Sequence, residues 1–186
     1  GDIRRLRGDL AGAEAALREA HSRGRSPQPA LALIRLAEGK VKAAANAINT
    51  AVAEEAWDRW ARARLLPAQA EIAIAAGDVA GARGAVDELA EIVGGYSSPA
   101  LEAGLRLALG RVLAAEGDHP GAVRELRSAI RRWRDVGAPY EVARARAVLS
   151  RSLRAHDDEE DAELELGAAL DEFQRLRLAR RPAQPL

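Results

Sequence analysis

The chain has 186 residues, enough for one sizeable domain or a short array of repeats. Its 28 basic and 28 acidic residues cancel, which argues against the strongly basic footprint of a nucleic-acid-binding domain. It has no cysteine, which excludes disulfide frameworks, thiolate metal sites and cysteine nucleophiles; no apolar run reaches the roughly 18 residues of a membrane span and no signal peptide opens the chain, so a cytoplasmic location without membrane attachment is expected.

In chain order, residues 1–22 read as the end of one helix, a turn at Gly8-Asp9 and one complete helix. Ser22 to Pro29 is dense in turn formers and reads as a loop. Ala30 to Glu38 and Val41 to about Glu54 form the next pair of helices. From Glu55 to Ala76 the pattern stays helical without a clear break, and Pro67 inside it predicts a kink or a boundary. Trp57 and Trp60 lie three apart on one face and are expected to pack between repeats, with an exposed aromatic binding site as the alternative. Val79 to Val93 follows, ended by Gly94-Gly95. Ser98 is placed to cap a helix with Pro99 at its first position, running to Glu116. The remaining helices are His119 to about Val136, Pro139 to about Ala155, and Glu159 to Leu176, with Arg177 to Leu186 as a fraying tail.

Five turns share one grammar. Gly117 can reach the left-handed conformation that ends a helix, and Asp118 can cap the next one through its carboxylate. Ala122, Leu126 and Ala129 follow: a small residue for close helix approach, then an aliphatic to fill the space. The same offsets place Ala13, Leu17 and Ala20 after Gly8-Asp9; Ala44, Ile48 and Ala51 after Gly39-Lys40; Ala82, Val86 and Leu89 after Gly77-Asp78; and Ala162, Leu166 and Ala169 after Asp157-Asp158. Turns recur after 31, 38, 40 and 40 residues. Such periods, with two helices per unit, predict an all-α protein: a right-handed α-solenoid of antiparallel helical hairpins. Its expected extent is residues 1–176, with a partial repeat at 1–22 and repeats at about 26–56, 57–95, 98–137 and 138–176. Ala122 and Ala162 should be buried at helix contacts. The short first unit and the absence of methionine point to a piece of a longer protein. Only Lys40 and Lys42 are lysines, so arginine supplies 26 of the 28 basic residues, a bias expected of a GC-rich bacterial genome.

The stretch LGRVLAAEGDHPGAVRELRSAI, with small residues before the turn and alanines after it, resembles the tetratricopeptide repeat, and Leu109-Gly110 fits that family's Leu-Gly step. The units of about 40 residues, and the run from Gly137 to Leu176 in particular, resemble the repeat region of large LuxR-type, maltose-regulator-like bacterial transcriptional regulators. That resemblance implies the sensing or coupling segment of a transcription factor; the alternative is a repeat scaffold for complex assembly unconnected with transcription. Another branch of the family clamps chaperone carboxylates with lysine and asparagine. The matching positions here are Leu33, Glu71, Arg111 and Arg151, and none is asparagine.

The residues offer little chemistry. Gly77 to Gly84 is glycine-rich but lacks the Gly-Lys-Ser/Thr of a phosphate loop. His119 and His156 flank turns, and the carboxylates from Asp157 to Asp161 lack the spacing of a calcium loop; capping explains them. No cofactor, metal or catalytic centre is expected. The candidate binding site is a groove. Leu33, Glu71, Arg111 and Arg151 stand six residues before successive turns and should form a row across a concave face, spaced about 8–10 Å apart. Glu71 can neutralise Arg111. Arg151, with Arg154 and Arg144, would then hold a carboxylate or phosphate of an acidic peptide or anionic effector. A solvated basic face with scattered salt bridges is the bland alternative. Leu166, Leu170 and Phe173 leave an apolar stripe at the end of the array, where self-association as a homodimer, or packing on a neighbouring domain, is expected.

Overall fold

A computed structural model describes residues 26–179 and, ahead of them, Gly12, Ala15, Leu17 and Glu19. The chain is all-helical, with eight helices and no strand among the described residues: α1 (Ala30–Ala37), α2 (Val41–Glu54), α3 (Arg59–Ala75), α4 (Val79–Val93), α5 (Pro99–Ala115), α6 (His119–Asp135), α7 (Pro139–Arg154) and α8 (Glu159–Ala179). They fall into two compact units, Gly1–Tyr96 and Ser97–Leu186.

The turns follow from local chemistry. Gly39, Gly77, Gly117 and Gly137 have φ of 75°, 80°, 86° and 67°. Asp157 takes the same left-handed conformation at 60°, where Asp stands in place of glycine. Asp78, Asp118 and Asp158 then accept the N–H groups of Gly81, Gly121 and Asp161 at 2.8, 2.9 and 3.3 Å. Each such turn folds a helix back on its predecessor, so α3 packs on α4, α5 on α6, and α7 on α8. The Gly8-Asp9 turn, with Ala13 and Ala20, lies outside the described residues.

Packing obeys the same offsets. Ala44, Ala82, Ala122 and Ala162 are fully buried, and Ile48, Val86 and Leu126 beside them are buried too. In the second unit Ala122, Leu126, Ala129 and Ala162 belong to one core with Leu107, Val148 and Leu149. Enlarging Ala122 or Ala162 to Leu should therefore cost about 1–3 kcal/mol by overpacking. Urea denaturation of both variants checks this, and unchanged midpoints would show that neither methyl sits at a helix contact.

Three sequence expectations need correction. The run from Glu55 to Ala76 is broken: α2 ends at Glu54, and Asp58 caps α3 by accepting the N–H groups of Trp60 and Ala61 at 2.9 and 3.0 Å. Of the two outcomes expected at Pro67, a kink or a boundary, the boundary does not occur, since α3 continues through it to Ala75. The last helix reaches Ala179 rather than Leu176. The apolar stripe on α8 is uneven: Leu170 is 58% exposed, whereas Leu166 is half-buried and Phe173, also half-buried, meets Tyr140 with ring centroids 5.7 Å apart.

Candidate functional site

The expected groove residues divide between the two units. Leu33 on α1 and Glu71 on α3 are half-buried in the first. Arg111 on α5 is half-buried in the second, and both Glu71 and Arg111 already engage other groups. On α7, Arg144 and Arg151 are two turns apart and share a face, with Arg154 on the next turn. Their guanidinium groups are not equivalent. Arg144 bonds Glu141 at 3.0 Å, and the Arg154 Nε bonds both oxygens of Glu159 at 2.8 and 3.1 Å. Arg151 is exposed and has no ion-pair partner among the described residues.

Elsewhere in the second unit, arginines bridge helices. Arg106 and Arg132 tie α5 and α6 together through Glu125 at 2.9 Å and Glu102 at 2.7 Å. Arg127 meets Asp161 at 3.0 Å, and Arg146 meets Glu165 at 3.3 Å. A cavity of about 350 Å³ opens beside these bridges, where the end of α6, the start of α7 and the second half of α8 converge. Gly137, Pro139, Val142 and Ala168 give it an apolar wall, and Arg134, Arg146, Arg175 and Glu172 give it charge. Sequence reasoning missed it. The available signal was Gly137-Ala138, a glycine turn followed by alanine where four other turns carry Asp.

The first unit carries a different feature. Trp57 is 97% exposed in the turn between α2 and α3, which overturns the expectation that it packs between repeats. Trp60 is 48% exposed and meets Tyr96 edge-on with centroids 5.6 Å apart. The break at Asp58 explains this, because Trp57 falls outside the helix whose face was supposed to bury it. Nearby, Arg62 joins α2, α3 and α4: Nη2 bonds Glu88 at 2.7 Å, Nε bonds its second oxygen, and Nη1 bonds the Val52 carbonyl at 2.6 Å. The Glu88 carboxylate holds the Arg62 pKa above its ordinary value, outweighing burial, which acts the other way.

Among the described residues no cluster of three or more His, Asp or Glu could hold a metal, and no helix is long and apolar enough to cross a membrane. His119 is half-buried, His156 is exposed, and His21 lies outside the described residues.

No family model and no curated protein matches the sequence. Among solved structures the chain is similar to BtubC (BKLC) from P. vanneervenii, at 20% identity and a TM-score of 0.62, covering 100% of this chain and 80% of that one. A likeness at that identity speaks for the fold alone.

Proposed function

We propose that the chain is a tetratricopeptide-like binding domain, its hairpins stacked as a right-handed solenoid, and that it serves as the sensing or coupling segment of a bacterial transcriptional regulator. The observation that supports a binding role is the repetition itself. The left-handed turn and the buried alanine recur from hairpin to hairpin, and the capping carboxylate in those at Asp78, Asp118 and Asp158. Those positions serve packing, and the exposed helix faces are left to vary and to recognise a protein or peptide partner. The transcriptional setting rests on the resemblance carried by Gly137 to Leu176. A second reading, a scaffold for complex assembly, is favoured by the exposed aromatics Trp57, Trp60 and Tyr96 of the first unit, because tryptophan and tyrosine are enriched at protein interfaces.

Transcription is the test. In the full-length regulator, effector-dependent expression of a reporter should fall when Arg151 and Arg154 are changed to Ala with the fold intact, and should survive Trp57→Ala. Loss of partner binding on Trp57→Ala alone, in a full-length protein that binds no DNA, would replace the regulator by the scaffold.

A further inference from the structure

The cavity of the second unit has a size and a chemistry that the hairpin packing does not account for. At about 350 Å³ it lies at the small end of small-molecule sites. Its charge is unbalanced. Arg146 is matched by Glu165 at 3.3 Å and Arg175 by Glu172 at 3.1 Å, but Arg134 is exposed and has no ion-pair partner among the described residues. Three guanidinium groups and one carboxylate, Glu172, line the cavity, and Glu165, the partner of Arg146, is not part of the lining.

Backbone charge points the same way. α3, α4, α5, α6 and α8 each begin with an Asp or Ser side chain accepting a first-turn N–H. α7, like α1 and α2, does not: its N-cap is Ala138, which lines the cavity and offers no side-chain acceptor. Glu141 in the first turn of α7 is engaged by Arg144 instead. The positive end of α7 is thus left without a capping side chain beside the cavity. The opposing effect, the negative end of α6, is blunted because the carbonyls of Arg132, Trp133 and Arg134 accept the N–H groups of Val136, Ala138 and Gly137.

We propose that this cavity binds a small organic anion. One carboxylate or phosphate group lies between Arg134 and Arg175 at the start of α7, and a short carbon skeleton lies on Pro139, Val142 and Ala168. Guanidinium groups hold such oxyanions through paired N–H···O bonds, and Arg134 can do so without giving up an existing ion pair. This site is distinct from the Arg151 and Arg154 face of α7, neither of which lines the cavity, and it does not depend on the transcriptional reading.

The experiment is isothermal titration of the whole chain with inorganic phosphate and with succinate, each at constant ionic strength against sodium chloride. Saturable binding of at least one probe is expected. Arg134→Ala should weaken it about tenfold, a loss of about 1.4 kcal/mol. Ala168→Leu, which pushes a larger side chain into the cavity from its apolar wall, should also weaken it, and Arg151→Ala should leave it unchanged. Arg134→Gln, which keeps the helical stem, guards against a folding artefact and should behave as Arg134→Ala does. Phosphate alone binding assigns a phosphate ester, and succinate alone assigns a carboxylate. The absence of saturable binding by either probe, or binding that survives both Arg134→Ala and Ala168→Leu, overturns the proposal.

Discussion

Leu126→Ala should cost about 3–5 kcal/mol, and Gly110→Ala should then change sign in its background. Leu126 is fully buried on α6, at the centre of a core built from α5, α6, α7 and α8, and truncating such a leucine removes its transfer energy and leaves a cavity. Gly110 sits opposite it on α5. A Cβ at Gly110 would stand 2.6 Å from the Leu126 Cγ and 2.9 Å from its Cδ2, with the Ala122 carbonyl oxygen at 3.4 Å. In the wild-type chain Gly110→Ala therefore overpacks; the cost of about 1–3 kcal/mol exceeds the gain of about 1 kcal/mol that alanine brings a helix. Once Leu126 is reduced to alanine the clash is gone. The new methyl then enters the vacated space and keeps its helical advantage, so Gly110→Ala should stabilise the Leu126→Ala chain. Urea denaturation of the two single variants and the double variant measures the coupling. Strict additivity would show that the two positions do not share one space.

That contact also shows what the sequence made legible. Gly110 was readable as part of a Leu-Gly step, and the alanine and aliphatic offsets after each turn were readable as a packing seam, because helix periodicity and turn chemistry act over a few residues. The same locality explains the left-handed Asp157, which inherits the place of a glycine from its neighbours in the pattern. The pairing of Trp57 with Trp60 on one buried face failed for the complementary reason. Their spacing is helical, but Asp58 between them captures two N–H groups and restarts the helix, so Trp57 is left in the turn and exposed. The arginines were legible only as charge. Arg144 and Arg154 bond residues three and five positions away, Arg106 one 19 positions away and Arg132 one 30 positions away. Which guanidinium stays open is decided by those partners, and a count along the chain supplies only the i,i+3 pair of Arg144. The cavity beside Arg134 was hidden for the same reason, since its walls come from three helices.

The strongest polar contribution is expected from Arg62, and Arg62→Ala should cost about 2–3 kcal/mol. Its guanidinium forks onto both oxygens of Glu88 on α4 and also reaches the Val52 carbonyl in the last turn of α2, where carbonyls lack an intrahelical donor. A fully buried pair broken at one partner would cost about 3–5 kcal/mol. Here the Arg62 and Glu88 side chains keep 18% and 34% of their exposure, so solvent screens part of the interaction and the expected loss is lower. Because Glu88 raises the Arg62 pKa above its ordinary value, the stability this brings is fully present below that value and is lost only as pH rises through the raised one, in strong alkali. The guanidinium is accordingly charged throughout the neutral and acidic range. Arg62→Lys keeps the charge but lacks the planar fork, so it can satisfy Glu88 or Val52 but not all three bonds, and it should recover only part of the loss. In a double-mutant cycle with Glu88→Ala, denaturant midpoints should show a coupling of about 1–2 kcal/mol. A coupling near zero would mean that the fork is a solvated surface pair, and that apolar packing alone holds α2, α3 and α4 together.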